Sequence, residues 1–152
     1  MKMKKINTLL FSIALINSLI VSAQEYKIVT VIESIVPMGA GRSRIVETQG
    51  TADVKSLTTI REGNKSKQDQ VDRDDVKEIG ENMKETKLLN FYSLVGINFG
   101  NIAANDAVIA AKINEVVKEG WSVAFITSAV ESDAGKDDGK GIFITRIFFV
   151  KK

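Results

Sequence analysis

The chain of 152 residues contains no cysteine and no histidine, and it has only one proline and one tryptophan. Without cysteine it has no disulfide framework and no thiolate nucleophile, and without histidine it has no imidazole base. The usual nitrogen and sulfur ligands of a zinc site are missing too, as is the axial histidine of a haem site. Any catalysis would therefore depend on carboxylates, hydroxyls, lysine, arginine or tyrosine.

Residues 1–23 have the features of a secretory signal peptide. Three lysines within the first five positions precede a mostly apolar run from Ile6 to Val21, and small residues lead up to Gln24. These are the basic, apolar and cleavage-site parts of such a signal. We expect cleavage between Ala23 and Gln24 and a secreted or periplasmic product, which no cysteine would tether through a lipid. A membrane anchor is the alternative, but polar residues interrupt the run, which is shorter than the roughly 20 residues of a spanning helix.

Signal removal also changes the charge. Cleavage takes away three of the 21 basic residues and none of the 19 acidic ones, so the net charge moves from +2 to −1. A nearly neutral domain with interspersed signs has no electrostatic footprint for nucleic acid or anionic lipid. The remaining residues, 24–152, show no repeat or linker and are enough for one domain with a core.

Segments rich in β-branched and aromatic residues predict strands. In the first, Tyr26 and Ile28 begin an apolar face of alternating positions. In the fourth, alternation places Trp121, Val123 and Phe125 on one side. The last is apolar on nearly all positions, which is typical of a central strand covered on both faces. The predicted strands run over residues 25–36, 42–47, 88–95, 121–130 and 142–150.

One long helix is predicted from Asn105 to Glu119. Asn105 is suited to cap it, and Gly120 stands where a left-handed residue commonly ends a helix. By contrast, residues 49–87 form a charged insertion with few apolar residues. A short helix with Val76, Ile79 and Met83 on one face is possible within it, and the other interpretation is a solvated, partly disordered segment.

These elements predict an α+β fold in which an antiparallel sheet of about four strands carries the long helix on one face. One helix covers only one side of a sheet, yet Val29, Val31 and Ile35 in the first strand, and residues on both sides of the last strand, Ile147 among them, require burial on two sides. Large exposed apolar patches usually mark sites of contact. We therefore expect the second face to be covered by the short helix, by a second copy of the chain or by another ligand.

The glycine-rich loop from Gly39 to Arg44 is the first candidate site. Gly39 and Gly41 can expose backbone amides to an anion, and Arg42 and Arg44 can bind a carboxylate or phosphate. The loop lacks the Gly-Lys-Ser/Thr ending of a phosphate-binding loop and leads into a strand rather than a helix. A hairpin connection that needs glycine is the favoured interpretation.

The acidic loop after residue 130 is a weaker candidate, for a metal. Asp133, Asp137 and Asp138 offer oxygen ligands of the kind that Ca²⁺ prefers, but the EF-hand register is absent and Lys136 and Lys140 offset the charge. The favoured interpretation is a polar loop whose glycines and aspartates serve turn geometry. We expect no metal site and no cofactor.

Two other groups of residues have candidate roles. Ile97 and Phe99 lie in a glycine-flanked loop, and we expect them to be tucked into the core rather than exposed as a contact patch. Glu33 and Glu47 are conceivable as an acid and base pair across a hairpin, but glycosidase chemistry also needs a cleft with aromatic residues, in which this chain is poor.

The segment Ile113 to Ile126 carries a resemblance. With its Glu-Gly-Trp exit from a helix, and with the Tyr-Lys-x-Val start of the first strand, the chain resembles a small bacterial domain family of unknown function. The long charged insertion departs from that pattern. The resemblance implies the fold and adds no catalytic residue.

The sequence as a whole favours an exported, non-enzymatic binding or interaction module that self-associates through a sheet face. The alternative is a small hydrolase or lyase, or an anion-binding protein, that uses the Gly39–Arg44 loop.

Overall fold

A five-stranded antiparallel sheet is the main feature of the computed structural model, which describes residues 24–36, 42–63, 65–67, 73–131 and 141–152. The predicted α+β class is confirmed, but the sheet has five strands rather than about four. The elements in chain order are β1 (Glu25–Ser34), β2 (Arg44–Thr48), β3 (Ile60–Glu62), β4 (Lys65–Lys67), α1 (Arg73–Glu81), β5 (Met83–Lys87), β6 (Tyr92–Ser93), β7 (Gly96–Ile97), α2 (Phe99–Lys118), β8 (Ser122–Val130) and β9 (Ile142–Lys151).

The strands of the large sheet lie in the order β5-β2-β1-β9-β8. β1 and β9 form its centre and pair over their whole length, from Glu25 opposite Lys151 to Ser34 opposite Ile142. β5 is the unpredicted fifth strand, because its sequence Met-Lys-Glu-Thr-Lys lacks the apolar alternation of a half-buried strand. Charged side chains are tolerated there because β5 is an edge strand.

Helix α2 packs on one face of the sheet and forms the core with it. Alternate residues of β1 and β9 point toward the helix, and the buried apolar residues are Val29, Val31, Ile45, Leu88, Val116, Ile147 and Phe149. Val108, Ile109, Ile113 and Trp121 pack against this core and are partly buried. The helix therefore covers β1, β2 and β9 from one side.

The N-terminus of α2 was predicted in the wrong place. Asn98, not Asn105, is the N-cap, and its side-chain oxygen accepts a hydrogen bond from the backbone N–H of Asn101 at 3.2 Å. Gly100 and the asparagines around it have low helix propensity, which hid the first turns in the sequence. The predicted end is confirmed, since Gly120 follows the C-cap with a φ of +91°.

Residues 88–95 do not form the predicted sheet strand. The backbone N–H of Leu88 donates to the carbonyl of Ser43 at 3.0 Å, and that of Phe91 donates to the carbonyl of Ser34 at 3.0 Å. Between them, Leu89 is hydrogen-bonded to a side chain of α2 instead of a strand. The segment then turns into the two-residue strands β6 and β7, which pair with each other and, among the described residues, with no other strand.

Helix α1 confirms the predicted short helix for Val76 and Ile79, but Met83, expected on the same helical face, begins β5 instead, and none of the helix residues is buried. It lies against the chain that follows β2, where a Cβ on Gly50 would stand 2.6 Å from the carbonyl oxygen of Ile79. A polar cavity of about 440 Å³ remains between the two segments. Because α1 buries nothing on the sheet, it is not the second cover. None of the described helices is long and apolar enough to span a membrane.

Candidate functional site

The side of the sheet opposite α2, called the open face below, carries a set of apolar side chains, several of which are exposed. Val29 pairs with Ile147 under the helix, so their neighbours Ile28 and Phe148, which also pair, lie on the other side. The central residues of the open face are Tyr26, Ile28, Thr30 and Ile32 of β1, Ile144, Arg146, Phe148 and Val150 of β9, and Phe125, Thr127 and Ala129 of β8.

Aromatic and aliphatic side chains make a band across this face. Tyr26 is 63% exposed and Phe125 is 52% exposed. The rings of Phe125 and Phe148 are stacked, with centroids 4.1 Å apart and an angle of 12° between planes. Arg146 interrupts the band between Thr30 and Thr127 and is itself exposed. The open face is thus an apolar surface with one cation at its centre.

The assignment of residues to the two faces differs from the sequence prediction. Val31 and Ile147 were expected to need a second cover, but both are buried beneath α2, and the apolar face left open is that of Tyr26 and Ile28. Alternation showed two apolar faces and could not show which of them the helix would choose. Among the residues that the structure describes, an apolar face without a cover therefore exists, on the side opposite to the one predicted.

A β-bulge in β8 is a second reason why the side chains lie on other faces of the sheet than predicted. Val123 pairs with Phe149 and Phe125 pairs with Phe148, so Ala124 is an extra residue between two successive pairs. Phe125 therefore lies on the open face and Val123 on the helix side, whereas simple alternation had placed them together. The bulge is what brings Phe125 onto Phe148.

A second apolar surface lies at the β6–β7 hairpin. Leu94, Val95, Ile97 and Phe99 are all exposed, Val95 by 97%. The prediction that Ile97 and Phe99 are tucked into the core is wrong. Asn98 between them is held by its N–H, which donates to the carbonyl of Phe91 at 2.7 Å, and by its capping role.

Hydrogen bonds of Asn105 join α2 to β1 and to the segment that follows β5. Asn105, which is buried, accepts from the N–H of Leu89 and donates to its carbonyl, both at 2.8 Å, and donates to Oε1 of Glu33 at 3.0 Å. Burial raises the pKa of Glu33, opposed by the Asn105 hydrogen bond, while the charge of Asp106 also raises it. Asn105 therefore links α2 to Leu89 and Glu33 by hydrogen bonds and is not the predicted helix cap.

Farther along α2, ion pairs attach the helix to the sheet. Glu47 is buried, and its carboxylate lies 2.9 Å from Nζ of Lys112 and 3.6 Å from Nζ of Lys27. Lys112 also contacts Glu115 at 2.9 Å. Burial acts to lower the pKa of Lys112, but the hydrogen bonds to Glu115 and Glu47 outweigh it, and the pKa is raised.

Glu33 and Glu47, the conceivable acid and base, do not form a pair. By the register of β1 with β2, Glu33 lies opposite Ser43 and Glu47 opposite Val29, which is roughly 13 Å along the strands. Each is engaged separately, Glu33 with Asn105 and Glu47 with lysines. Glu33 and Glu47 are therefore too far apart to act together as an acid and a base.

The glycine loop is only partly described. Gly39 and Gly41 lie outside the described residues, while Arg42 is exposed and Arg44 begins β2. The guanidinium of Arg44 forms an ion pair with the carboxylate of Glu85 in β5. An anion at Arg44 would have to compete with that carboxylate, and the anion site stays a prediction.

The remaining predicted sites fall largely outside the described residues. This applies to Asp133, Asp137 and Asp138 and to Ala23, whereas Gln24 is the first described residue and is exposed. Within the described ranges, no group of three or more aspartate or glutamate side chains is placed to hold a metal ion.

A scan against protein-family models, a search of curated proteins and a search of solved structures found no match to this chain. The resemblance based on Glu119, Gly120 and Trp121 therefore stays a prediction, and the function has to be argued from the site itself.

Proposed function

We propose that this protein is an exported, non-enzymatic interaction module that associates with other protein surfaces, a second copy of itself first among them, through the uncovered part of its sheet. The observation that carries the proposal is the apolar band of the open face. Apolar area left in water costs about 25 cal/mol per Å². Contact with another apolar surface removes that cost, which is why such patches usually mark interfaces.

The composition of the band fits an interface more closely than an active site. Tyrosine and phenylalanine are enriched at the centres of interfaces, and the stacked pair of Phe125 and Phe148 presents a rigid aromatic surface. The band is also a sheet surface rather than a cleft, and reactions need a site that surrounds the reacting groups.

The test is a pair of lysine substitutions at equally exposed apolar positions. Phe125 on the open face and Val76 on α1 are both 52% exposed. We expect Phe125→Lys to weaken self-association at least tenfold, because it places a charge in a desolvated contact, and Val76→Lys to leave it unchanged. Native mass spectrometry and sedimentation over a concentration series measure the assembly, and melting temperature checks the fold. A wild-type chain that stays monomeric throughout, or two variants that assemble equally, would refute the proposal.

A further inference from the structure

The two edges of the large sheet differ in chemistry. β5 is a short edge with Lys84, Glu85 and Lys87 among its five residues. β8 is nine residues long, has no charged residue and no proline, and all nine of its residues are exposed. Natural proteins commonly blunt edge strands with charges, prolines or short length, because an unpaired edge can accept another strand. Only β5 carries such protection in its sequence.

The bulge at Ala124 limits but does not remove this unprotected edge. Bulges also disturb edge pairing, so the regular part of β8 is Phe125–Val130. Its outer side is unpaired in the part of the chain that the structure describes. Antiparallel pairing of this segment with the same segment of another copy is self-complementary, since a two-fold axis perpendicular to the sheet relates the two strands. It would supply about six main-chain hydrogen bonds, within the range of a typical interface.

The sizes of the β8 side chains favour one register for the pairing of the two copies. Residues directly opposite must lie on the same face, so the axis passes through a residue and not between two. With Thr127 on the axis, Phe125 faces Ala129 of the second copy and Ile126 faces Ser128, which puts each large side chain against a small one. With Ser128 on the axis, Ile126 would face Val130, and two branched side chains would meet.

Arg146 argues against the other way of joining two copies. If two open faces were stacked, this exposed guanidinium would be buried against the apolar band of the partner, and a buried charge without a counter-ion is costly. Edge pairing leaves Arg146 in water. It also places both open faces on the same side of one continuous sheet, with both α2 helices on the other.

From these observations we propose that two copies of the chain join along β8, antiparallel and with Thr127 on the two-fold axis, to form a ten-stranded sheet. This rests on the proposed function in that a second copy of the chain is the partner. It places the contact at the β8 border of the uncovered sheet, where Phe125 takes part while the rest of the apolar band stays exposed, and it specifies the register.

The absence of cysteine makes the geometry testable by cross-linking. Thr127→Cys places two thiols on neighbouring strands at the axis, where Cα atoms are about 4.5–5.5 Å apart, within disulfide range. We expect this variant to form a covalent dimer on mild oxidation. Two controls carry the same thiol elsewhere: Ser122→Cys, which the register separates from its copy by roughly 30 Å, and Thr30→Cys, at the middle of the open face. Neither is expected to cross-link.

A steric variant tests the same contact without a cross-link. Ala129→Lys puts a long charged side chain opposite Phe125 of the second copy, and Ala129→Ser keeps the position small. We expect the lysine variant to weaken dimerisation at least tenfold at an unchanged monomer melting temperature, and the serine variant to dimerise normally.

The outcomes distinguish a failure of β8 edge pairing from a failure of the proposed function as a whole. Cross-linking at Thr30→Cys but not at Thr127→Cys overturns edge pairing and supports stacked open faces, which keeps the proposed function. Growth into long filaments without a Thr127 cross-link also overturns it, because it indicates β8 pairing with β5 of the next copy. A chain that is monomeric at all concentrations overturns both proposals.

Discussion

Asn105 shows how one polar side chain can replace a strand. Its amide both donates to and accepts from the backbone of Leu89, as a paired strand residue would, and so holds the chain after β5 alongside α2. Asparagine has the donor and acceptor for this at one terminus. The same property makes it a common helix cap, which is why the sequence alone suggested the wrong role.

Replacing this residue should loosen that junction. In Asn105→Ala, the N–H and carbonyl of Leu89 lose their partners together with the hydrogen bond to Glu33, and we expect a loss of about 1–3 kcal/mol in the free energy of unfolding. Asn101→Ala is the control, since it removes a single bond to the carbonyl of Asn90 and should cost less. Urea unfolding of both variants measures the difference. Equal losses would contradict the role given to Asn105.

Glu33 should make stability depend on pH in a defined direction. Its pKa is raised above 4.5 in the folded chain, chiefly by burial, so the folded state binds more protons than the unfolded state just above that pH. The free energy of unfolding contributed by this group is therefore greatest below pH 4.5 and falls as pH rises through the raised pKa.

The variant Glu33→Gln removes this titration while keeping an oxygen for Asn105. We expect its urea midpoint to fall less than that of the wild type from about pH 4 to about pH 7. Comparing the two curves cancels the other carboxylates. If the curves run parallel, Glu33 does not titrate as its surroundings indicate.

At the scale of the elements, α2 is attached to the sheet by charges as well as by its apolar stripe. Lys112 of the helix reaches the buried carboxylate of Glu47 in β2, and both side chains are largely removed from water. Removing one member leaves the other charge buried with the more distant Lys27. Such a contact sets where along the sheet the helix lies.

We expect Lys112→Ala to lower the free energy of unfolding by about 2–4 kcal/mol, because the buried Glu47 carboxylate loses its nearer counter-charge and keeps the more distant Lys27. Lys118→Ala, on the exposed last turn of the same helix, is the control and should stay within about 0.5 kcal/mol of the wild type. Chemical denaturation measures both. A double variant with Glu47→Gln should recover part of the loss, and its failure to do so would contradict the pairing.

The elements that could be predicted are those whose local pattern agrees with their surroundings. The alternation in β1 and the glycine after Glu119 gave a strand and a helix end that the structure confirms. β5 could not be predicted, because its stability comes from pairing with β2 and not from its own residues. The composition of β8 does not indicate the bulge at Ala124. The face of the sheet on which Phe125 lies could therefore not be predicted.

For the molecule as a whole, the main physical feature is that α2 covers one part of the sheet and leaves another part exposed. The helix lies over β1, β2 and β9, while β8 is exposed on both faces and at its outer edge. The sequence indicated an uncovered face, but the choice of face depends on where α2 packs, which is a property of the assembled core. The candidate interface was therefore predictable in kind and not in its residues.

The pairing of β1 with β9 has a consequence for how the chain reaches this state. These central strands are separated by more than a hundred residues, so their contacts give the fold a high contact order, which slows folding. During synthesis β1 has no central partner until residues 142–151 have emerged, and the core cannot close before then. Until that strand has emerged the nascent chain lacks the completed core, and a polypeptide without a completed core can still be threaded through a narrow channel.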